Sequence, residues 1–502
     1  MSKKKKNLFT LLGLSALLIV CLVLYFVVPK SKDTDGDETE TTAGEEITVD
    51  EIDSSTITGV EIQKEGKTTL SLLKEEEVWH LTEDKSIPLD EESVTGLFDC
   101  LNPVKAAKTV EKDDSKLSDY GLDHPVMIIN VTAGDTTYQY HLGIAVPVEG
   151  GYYGLTDTGD KIYCFNEDLY TTFDISRNVL IQRDELPDIE ENYMTYLLVE
   201  NKNGKDFEAK AADEEERVDQ YSDWNITKPY AEPLAASVKD WSTILESFTS
   251  LSFGGLVQYK AADLSKYGLK DPASVITVTY YEAKEGYTPK ATATPSQSDS
   301  SSGTEKETIP EKYRDYKTLK LYVGNKKGEN YYVCLKGSRN VYTMTEGTVE
   351  SMTKLDAYAS MDHSVYSTMA TDIKGYDVTY GNTTLKVTRK DKEKDENGSS
   401  NMWTLNGNEI ASEKEEDFLK PYSAAYLLTF TSKAKESVKP KSKTPVLTIV
   451  YHENNRDVTV RYLPYDDTNF YRVDKNGMDY FLVDKLSVDD VITKFKEIEK
   501  LQ

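Results

Sequence analysis

The chain has 502 residues, 38% of them apolar and 10% aromatic, with a net charge of −28. Such a composition supports ordinary cores, enough for about three domains at ~150 residues each, and argues against wholesale disorder. The acidic balance repels phosphate backbones, so nucleic-acid binding drops out as a function class.

Residues 1–7 form a short basic tail holding Lys3, Lys4, Lys5 and Lys6. Leu8–Val28 (LFTLLGLSALLIVCLVLYFVV) follows as 21 residues without a charge. As a helix it reaches ~32 Å, enough to cross the hydrocarbon core of a bilayer. Lysines before it and acids after it place the N-terminus in the cytoplasm and the bulk of the chain outside. Val27-Val28-Pro29-Lys30 does not suit a signal-peptidase site, and Ile19 and Val20 lack the small residues expected before a lipidated cysteine at Cys21. The expectation is an uncleaved, single-pass anchor in the cell membrane. Residues 29–46 (PKSKDTDGDETETTAGEE) then make an acidic linker, extended by like charges. Its DTDGDETE stretch departs from calcium-loop spacing and reads as a solvated acid run. Past the anchor only Cys100, Cys164 and Cys334 remain, too few and too scattered for a disulfide framework.

The remainder repeats one pattern three times, giving modules over 47–190, 191–360 and a divergent 370–502. Each opens with strand-like segments leading to a tryptophan: Trp79, Trp224 and Trp403. An amphipathic helix is predicted next. Val94, Leu97, Phe98 and Leu101 lie at helical spacing behind Asp90, and Val238, Trp241, Leu245 and Phe248 behind Ser237. Phe418, Leu419 and Tyr422 lie behind a Ser412-x-x-Glu415 capping box, with Pro421 set to kink or shorten that helix.

The first module then reads LSDYGLDHP (Leu117–Pro125), and the second LSKYGLKDP (Leu264–Pro272), while the third keeps only Pro445. A hairpin follows each proline, with alternating residues such as Tyr138, Tyr140 and Leu142 on one face. A second hairpin turns through TDTGD, KGSR and DKNG, and a short helix closes each module. Residues 288–310, rich in Ser, Thr and Pro, interrupt the second module as a disordered insertion on a hairpin tip. The predicted fold class is thus α+β: three repeated antiparallel sheet-plus-helix modules behind one transmembrane helix.

Chemistry is not written in this pattern. Phosphate loops, dinucleotide fingerprints and nucleophile elbows are missing, and His452-Glu453 is followed by Arg456 where a zinc-protease helix needs histidine. The five histidines, His80, His124, His141, His363 and His452, share no spacing. The acid runs Glu75–Glu77 and Asp213–Glu216 read as solvated turns. The three tryptophans serve either as aromatic platforms for a polymer or as core anchors, and their fixed place in the repeat favours the core. In LSDYGLDHP the charged positions Asp119 and Asp123, with His124, become Lys266, Lys270 and Asp271 in the second copy whereas Tyr, Gly, Leu and Pro persist, which marks a structural joint. The expectation is a protein that is not an enzyme, with no catalytic, cofactor or metal residues, no cofactor and an unknown ligand.

The pattern W…L…YGLD-P…strand…G…YY…VY behind an N-terminal span resembles the bacterial domain-of-unknown-function family 4340, best over 57–186, again over 194–355, and fading in the third module. That resemblance implies no catalytic residues. It implies company with ABC-transporter ATPase and permease subunits, including gliding-motility-type auxiliary systems. The expected role is therefore an extracytoplasmic accessory subunit of an ABC-transporter-type complex. The alternative is a cell-envelope protein binding wall polymer or peptidoglycan.

Overall fold

The computed structural model describes residues 46–147, 150–159, 161–287, 309–394, 400–435, 438, 442–465 and 469–501. The expected basic tail, the span Leu8–Val28, nearly all of the acidic linker and residues 288–308 of the insertion lie outside the described residues. Among the described residues no helix is long and apolar enough to cross a membrane.

Among the described residues strands come in three sets of nine. The first holds β1 (Ile47–Asp50), β2 (Ile57–Lys64), β3 (Lys67–Glu75), β4 (Val78–Leu81), β5 (Val104–Glu111), β6 (Met127–Ala133), β7 (Thr136–Ala145), β8 (Tyr152–Thr156) and β9 (Lys161–Phe165). The second holds β10 (Met194–Asn201), β11 (Phe207–Ala211), β12 (Trp224–Lys228), β13 (Leu234–Ala235), β14 (Leu256–Gln258), β15 (Ser274–Ala283), β16 (Arg314–Lys327), β17 (Asn330–Leu335) and β18 (Val341–Thr345). The third holds β19 (Gly375–Tyr380), β20 (Thr383–Asp391), β21 (Asn401–Leu405), β22 (Asn408–Glu409), β23 (Ser432–Lys433), β24 (Leu447–His452), β25 (Asp457–Pro464), β26 (Phe470–Lys475) and β27 (Met478–Asp484).

The sheet orders are β1-β5-β9-β8-β7-β6-β2-β3-β4, β13-β12-β11-β10-β15-β16-β17-β18-β14 and β22-β21-β20-β19-β24-β25-β26-β27-β23. Eight strands thus follow the same path in each sheet, and only the ninth changes edge. The repeated sheet modules read from sequence are present. By compactness, however, the chain forms two units, Met1–Glu77 with Leu97–Asp174, and Val78–Gly96 with Ile175–Gln502.

Among the described residues helices are few, so the fold is α+β but mostly β. They are α1 (Glu91–Thr95), α2 (Glu167–Phe173), α3 (Trp241–Glu246), α4 (Glu346–Thr353), α5 (Ala357–Ser360), α6 (Glu415–Tyr426) and α7 (Lys485–Ile498). Asp90 caps α1 as expected, accepting from the Ser93 amide at 2.8 Å. The second predicted helix begins three residues late. Val238 is 66% exposed, and the helix starts only at Trp241. The capping box does not form: Glu415 instead accepts from the Trp403 indole Nε1 at 2.9 Å. Helix α6 runs through Pro421 without being shortened there.

The tryptophans are core residues. Trp79, Trp224 and Trp403 are 5%, 7% and 1% exposed, on the equivalent strands β4, β12 and β21. Trp224 meets Trp241 of α3 at 5.5 Å between ring centroids, and Trp403 meets Phe418 of α6 at 6.1 Å. Each of these two helices is thereby seated on its own sheet through the aromatic ring.

The YGL joint ends in one geometry in both copies, although the 3-10 turn before it is seven residues long in the first and four in the second. Asp113 accepts from the amide and hydroxyl of Ser115, and Asp263 does the same with Ser265, each starting a 3-10 turn. The turns end at Gly121 and Gly268 with φ of 69° and 72°, left-handed values that glycine adopts without strain. Leu122 N then donates to Leu117 O at 2.9 Å and Leu269 N to Leu264 O at 3.0 Å, closing a Schellman motif. The Tyr120 and Tyr267 carbonyls press against Gly143 and Gly324 on the neighbouring strands, where a Cβ would overlap the oxygen. Tyr120 meets Tyr153 edge-on at 4.9 Å, and Tyr267 meets Tyr332 at 5.1 Å. Persisting residues in the repeat are the ones this contact needs.

Of the predicted insertion 288–310, residues 309 and 310 are described. Ladder pairing between β15 and β16 reaches Ala283 and Arg314, as a hairpin tip requires, but Ile309 is only 3% exposed and its carbonyl accepts from Arg314 Nε.

The third core differs in one respect. Strand register makes Tyr376 and Tyr451 the counterparts of Val60 and Val131 in the first sheet and of Leu197 and Val278 in the second. Tyr462 likewise replaces Leu142 and Val323. The hydroxyls of Tyr376, Tyr451 and Tyr462 are buried without a hydrogen-bond partner. Burying such a group unpaired costs ~1–3 kcal/mol. Tyr376→Phe and Tyr462→Phe should therefore each raise stability by ~1 kcal/mol, seen as a higher urea midpoint at unchanged slope; a loss of stability in both would contradict this.

Candidate functional site

Within the second compact unit, the second and third sheets are stitched together by backbone. Ala236 bridges Met361, with Ser237 N donating to Ser360 O at 2.9 Å and Asp362 N to Ala235 O at 2.8 Å. The same segment bridges onward from Ser364 to Thr429, with Val365 N donating to Leu428 O at 2.9 Å. Arg456 adds a donor from Nη2 to the Val218 carbonyl at 2.9 Å.

A cleft of about 200 Å³ lies at this junction. Three segments far apart in sequence bring charge to it. Asp219 sits in the loop between β11 and β12 and is 8% exposed. That loop is clamped by the buried Asn225, whose side chain donates to Glu216 O at 2.8 Å and accepts from Val218 N at 3.2 Å. One Asp219 oxygen accepts from the amides of Tyr221 and Ser222, both at 2.8 Å. Asp362, on the bridging segment, spends one oxygen on the amide and hydroxyl of Ser364, both at 3.0 Å.

Lys475 ends β26 at a two-residue hairpin turn, paired with Met478 of β27. Asn476 and Gly477 take φ of 51° and 94°, the positive pair a type I′ turn requires. Asn476 is pinned in turn, its side chain accepting from Thr459 N at 2.8 Å. Lys475 is half-buried and lines the cleft. Burial lowers the pKa of Lys475 below that of an ordinary lysine, and Asp219 and Asp362 pull it back upward. Burial likewise raises the Asp219 carboxyl, opposed by the two amide hydrogen bonds.

Two arginines and the exposed Glu216 and Glu232 complete the charge set. Arg456 is held by Glu453 at 2.9 Å, and Glu453 is itself fixed by the hydroxyls of Tyr366 at 3.0 Å and Thr368 at 3.1 Å. Arg217 pairs with Asp223 at 2.6 Å, while its Nε is buried without a partner. Phe430, Leu234, Val458 and Met361 supply apolar wall. The arrangement offers both signs of charge in a small, partly apolar enclosure, which suits recognition of a polar solute.

Asp219, Asp362 and Lys475 do not stand out in the sequence, and Glu453 and Arg456 enter it only through the rejected zinc-protease pattern. Asp219 follows an acid run whose residues 213–216 are indeed exposed, and Lys475 lies in the DKNG turn, which was legible as a turn only. The histidines are not brought together as a set: His141 contacts Gln139 at 2.6 Å, His363 contacts the Phe430 carbonyl at 3.1 Å, and His452 contacts Asp457 at 2.9 Å. Cys100, Cys164 and Cys334 are free thiols. Among the described residues there is no group of three or more His, Cys, Asp or Glu able to hold a metal.

Three like-ordered antiparallel sheets with few helices define a repeat protein of sheet modules. The chain belongs to the family described as domain of unknown function (DUF4340), whose model matches residues 79–272 and 224–443. Both matches begin at an equivalent tryptophan, Trp79 and Trp224, and each runs on into the following module, so the family unit is out of phase with the sheets. The second match enters the third module, further than the sequence motif alone suggested. Neither a curated protein nor a solved structure matches the chain.

Proposed function

We propose that this protein is a membrane-anchored, non-catalytic accessory subunit of an ABC-transporter-type complex, with its sheet modules outside the cytoplasm. The observation carrying the anchor is the uncharged run Leu8–Val28 behind four lysines, ahead of a chain with net charge −32 (−28 − 4) beyond them. The transporter context rests on the resemblance of the repeated YGL pattern to that family. The modules support a scaffolding role, since each is a sheet whose cores are filled by its own side chains. Burial of Trp79, Trp224 and Trp403 removes the best platforms for the alternative, binding of wall polymer.

Two measurements test this reading. Deleting Leu8–Val28 should move the protein from the membrane pellet to the soluble fraction, whereas retention in the pellet would count against the anchor. The tagged full chain, extracted in several mild detergents, should bring down a permease or ATPase subunit. Recovery of neither in any detergent, together with salt-insensitive retention on isolated wall material, would replace the accessory role with the alternative.

A further inference from the structure

The cleft of the second unit has a more specific chemistry than a scaffold needs. Asp219 and Asp362 each commit only one oxygen to the protein hydrogen bonds described above, and Lys475 is joined to neither by a direct ion pair among the described residues. Arg217 Nε is a further donor, buried and without a partner on the same cleft. Charges withdrawn from water and not in contact leave much of their desolvation uncompensated. A singly charged ligand answers one sign and worsens the other: a cation meets Lys475, Arg217 and Arg456, and an anion meets the carboxylates of Asp219, Asp362, Glu216 and Glu232. A solute bearing both charges answers both.

We propose that this cleft binds a small zwitterion of amino-acid or dipeptide size, its ammonium held by Asp219 and Asp362 and its carboxylate by Lys475. Size agrees, since about 200 Å³ corresponds to only several water-sized volumes of ~30 Å³ each. Leu234, Val458, Met361 and Phe430 leave an apolar wall for a short side chain. The hairpin turn at Asn476-Gly477 and the clamp of Asn225 on the loop hold the charged groups in place before a ligand arrives, which limits the ordering cost of binding. The site does not depend on the transporter reading, and failure of one leaves the other standing.

The test is calorimetric titration of the full chain in detergent with glycine, alanine, leucine, serine, glutamate, lysine and dialanine. Their charge-blocked relatives N-acetylalanine and alaninamide are run beside them. At least one free zwitterion should bind saturably, with N-acetylalanine and alaninamide at least tenfold weaker than alanine or dialanine. Lys475→Met and Asp219→Asn should each weaken binding tenfold or more. No saturable binding across the panel, equal binding of the blocked forms, or unchanged binding by Lys475→Met would each overturn the proposal. If a variant does not fold, the comparison of free with blocked ligands on the native protein decides alone.

Discussion

Gly324→Ala is expected to destabilise the second compact unit by about 3 kcal/mol or more, the upper end of what overpacking a well-filled site costs. Gly143→Ala should do about the same in the first unit. In each case the added methyl would collide with a backbone carbonyl, of Tyr267 or Tyr120, rather than with the movable end of a side chain. Relief requires shifting the Schellman turn itself, which carries the hydrogen bonds from Leu269 to Leu264 and from Leu122 to Leu117. Gly96 provides the control: its backbone is right-handed helical and a methyl there meets nothing within 4 Å. Gly96→Ala should change stability by no more than ~1 kcal/mol, in the stabilising direction if at all. Urea denaturation followed by tryptophan fluorescence measures all three. Losses below 1 kcal/mol for both Gly324→Ala and Gly143→Ala would show that the joint yields, and the structural role assigned to the repeat would fall.

Trp403→Ala should cost about 3–5 kcal/mol, as large-to-small changes at buried aromatic sites do. The ring is 1% exposed and seats α6 on the third sheet through Phe418. It also donates to Glu415 in the first turn of that helix, so a smaller change separates packing from hydrogen bonding. Trp403→Phe keeps most of the apolar area and loses the donor, for an expected ~1–2 kcal/mol. Combining it with Glu415→Ala closes a double-mutant cycle with a coupling energy of ~1 kcal/mol. Zero coupling would mean that Glu415 acts only as a helix-start charge, and that the indole contributes by volume alone.

These two sites mark where sequence reasoning worked and where it stopped. YGL could be recognised as a joint because its repetition separates the residues that must stay from those free to vary. What it presses against, Gly143 and Gly324, was read only as a pattern glycine, since the contact is made across strands. Hairpins were legible because alternation and turn residues lie side by side: the NG turn at 476–477 came out as read. Long-range choices were not. Ser412 and Glu415 satisfy the spacing of a capping box, but the buried indole of Trp403 competes for the same carboxylate and takes it. Helix length was overread for α3 because Val238 fits the apolar stripe yet faces solvent. The cleft was invisible for the same reason, as Asp219, Asp362 and Lys475 come from three separate turns or connections, each resembling an ordinary solvated loop.

One feature of the three sheets bears on how such a chain avoids tangling with itself. Every outermost strand among the described residues is short: β1 and β4 have four residues, β14 has three, and β13, β22 and β23 have two. Inner strands run from five residues to fourteen. A sheet edge exposes unpaired amides and carbonyls that any strand of compatible register can recruit. Neighbouring modules of like sequence are the most available wrong partners during synthesis, when one is complete and the next is still emerging. Edges of two to four residues offer too few ladder bonds to hold an incorrect strand, so truncation at the rim keeps the copies apart while they fold.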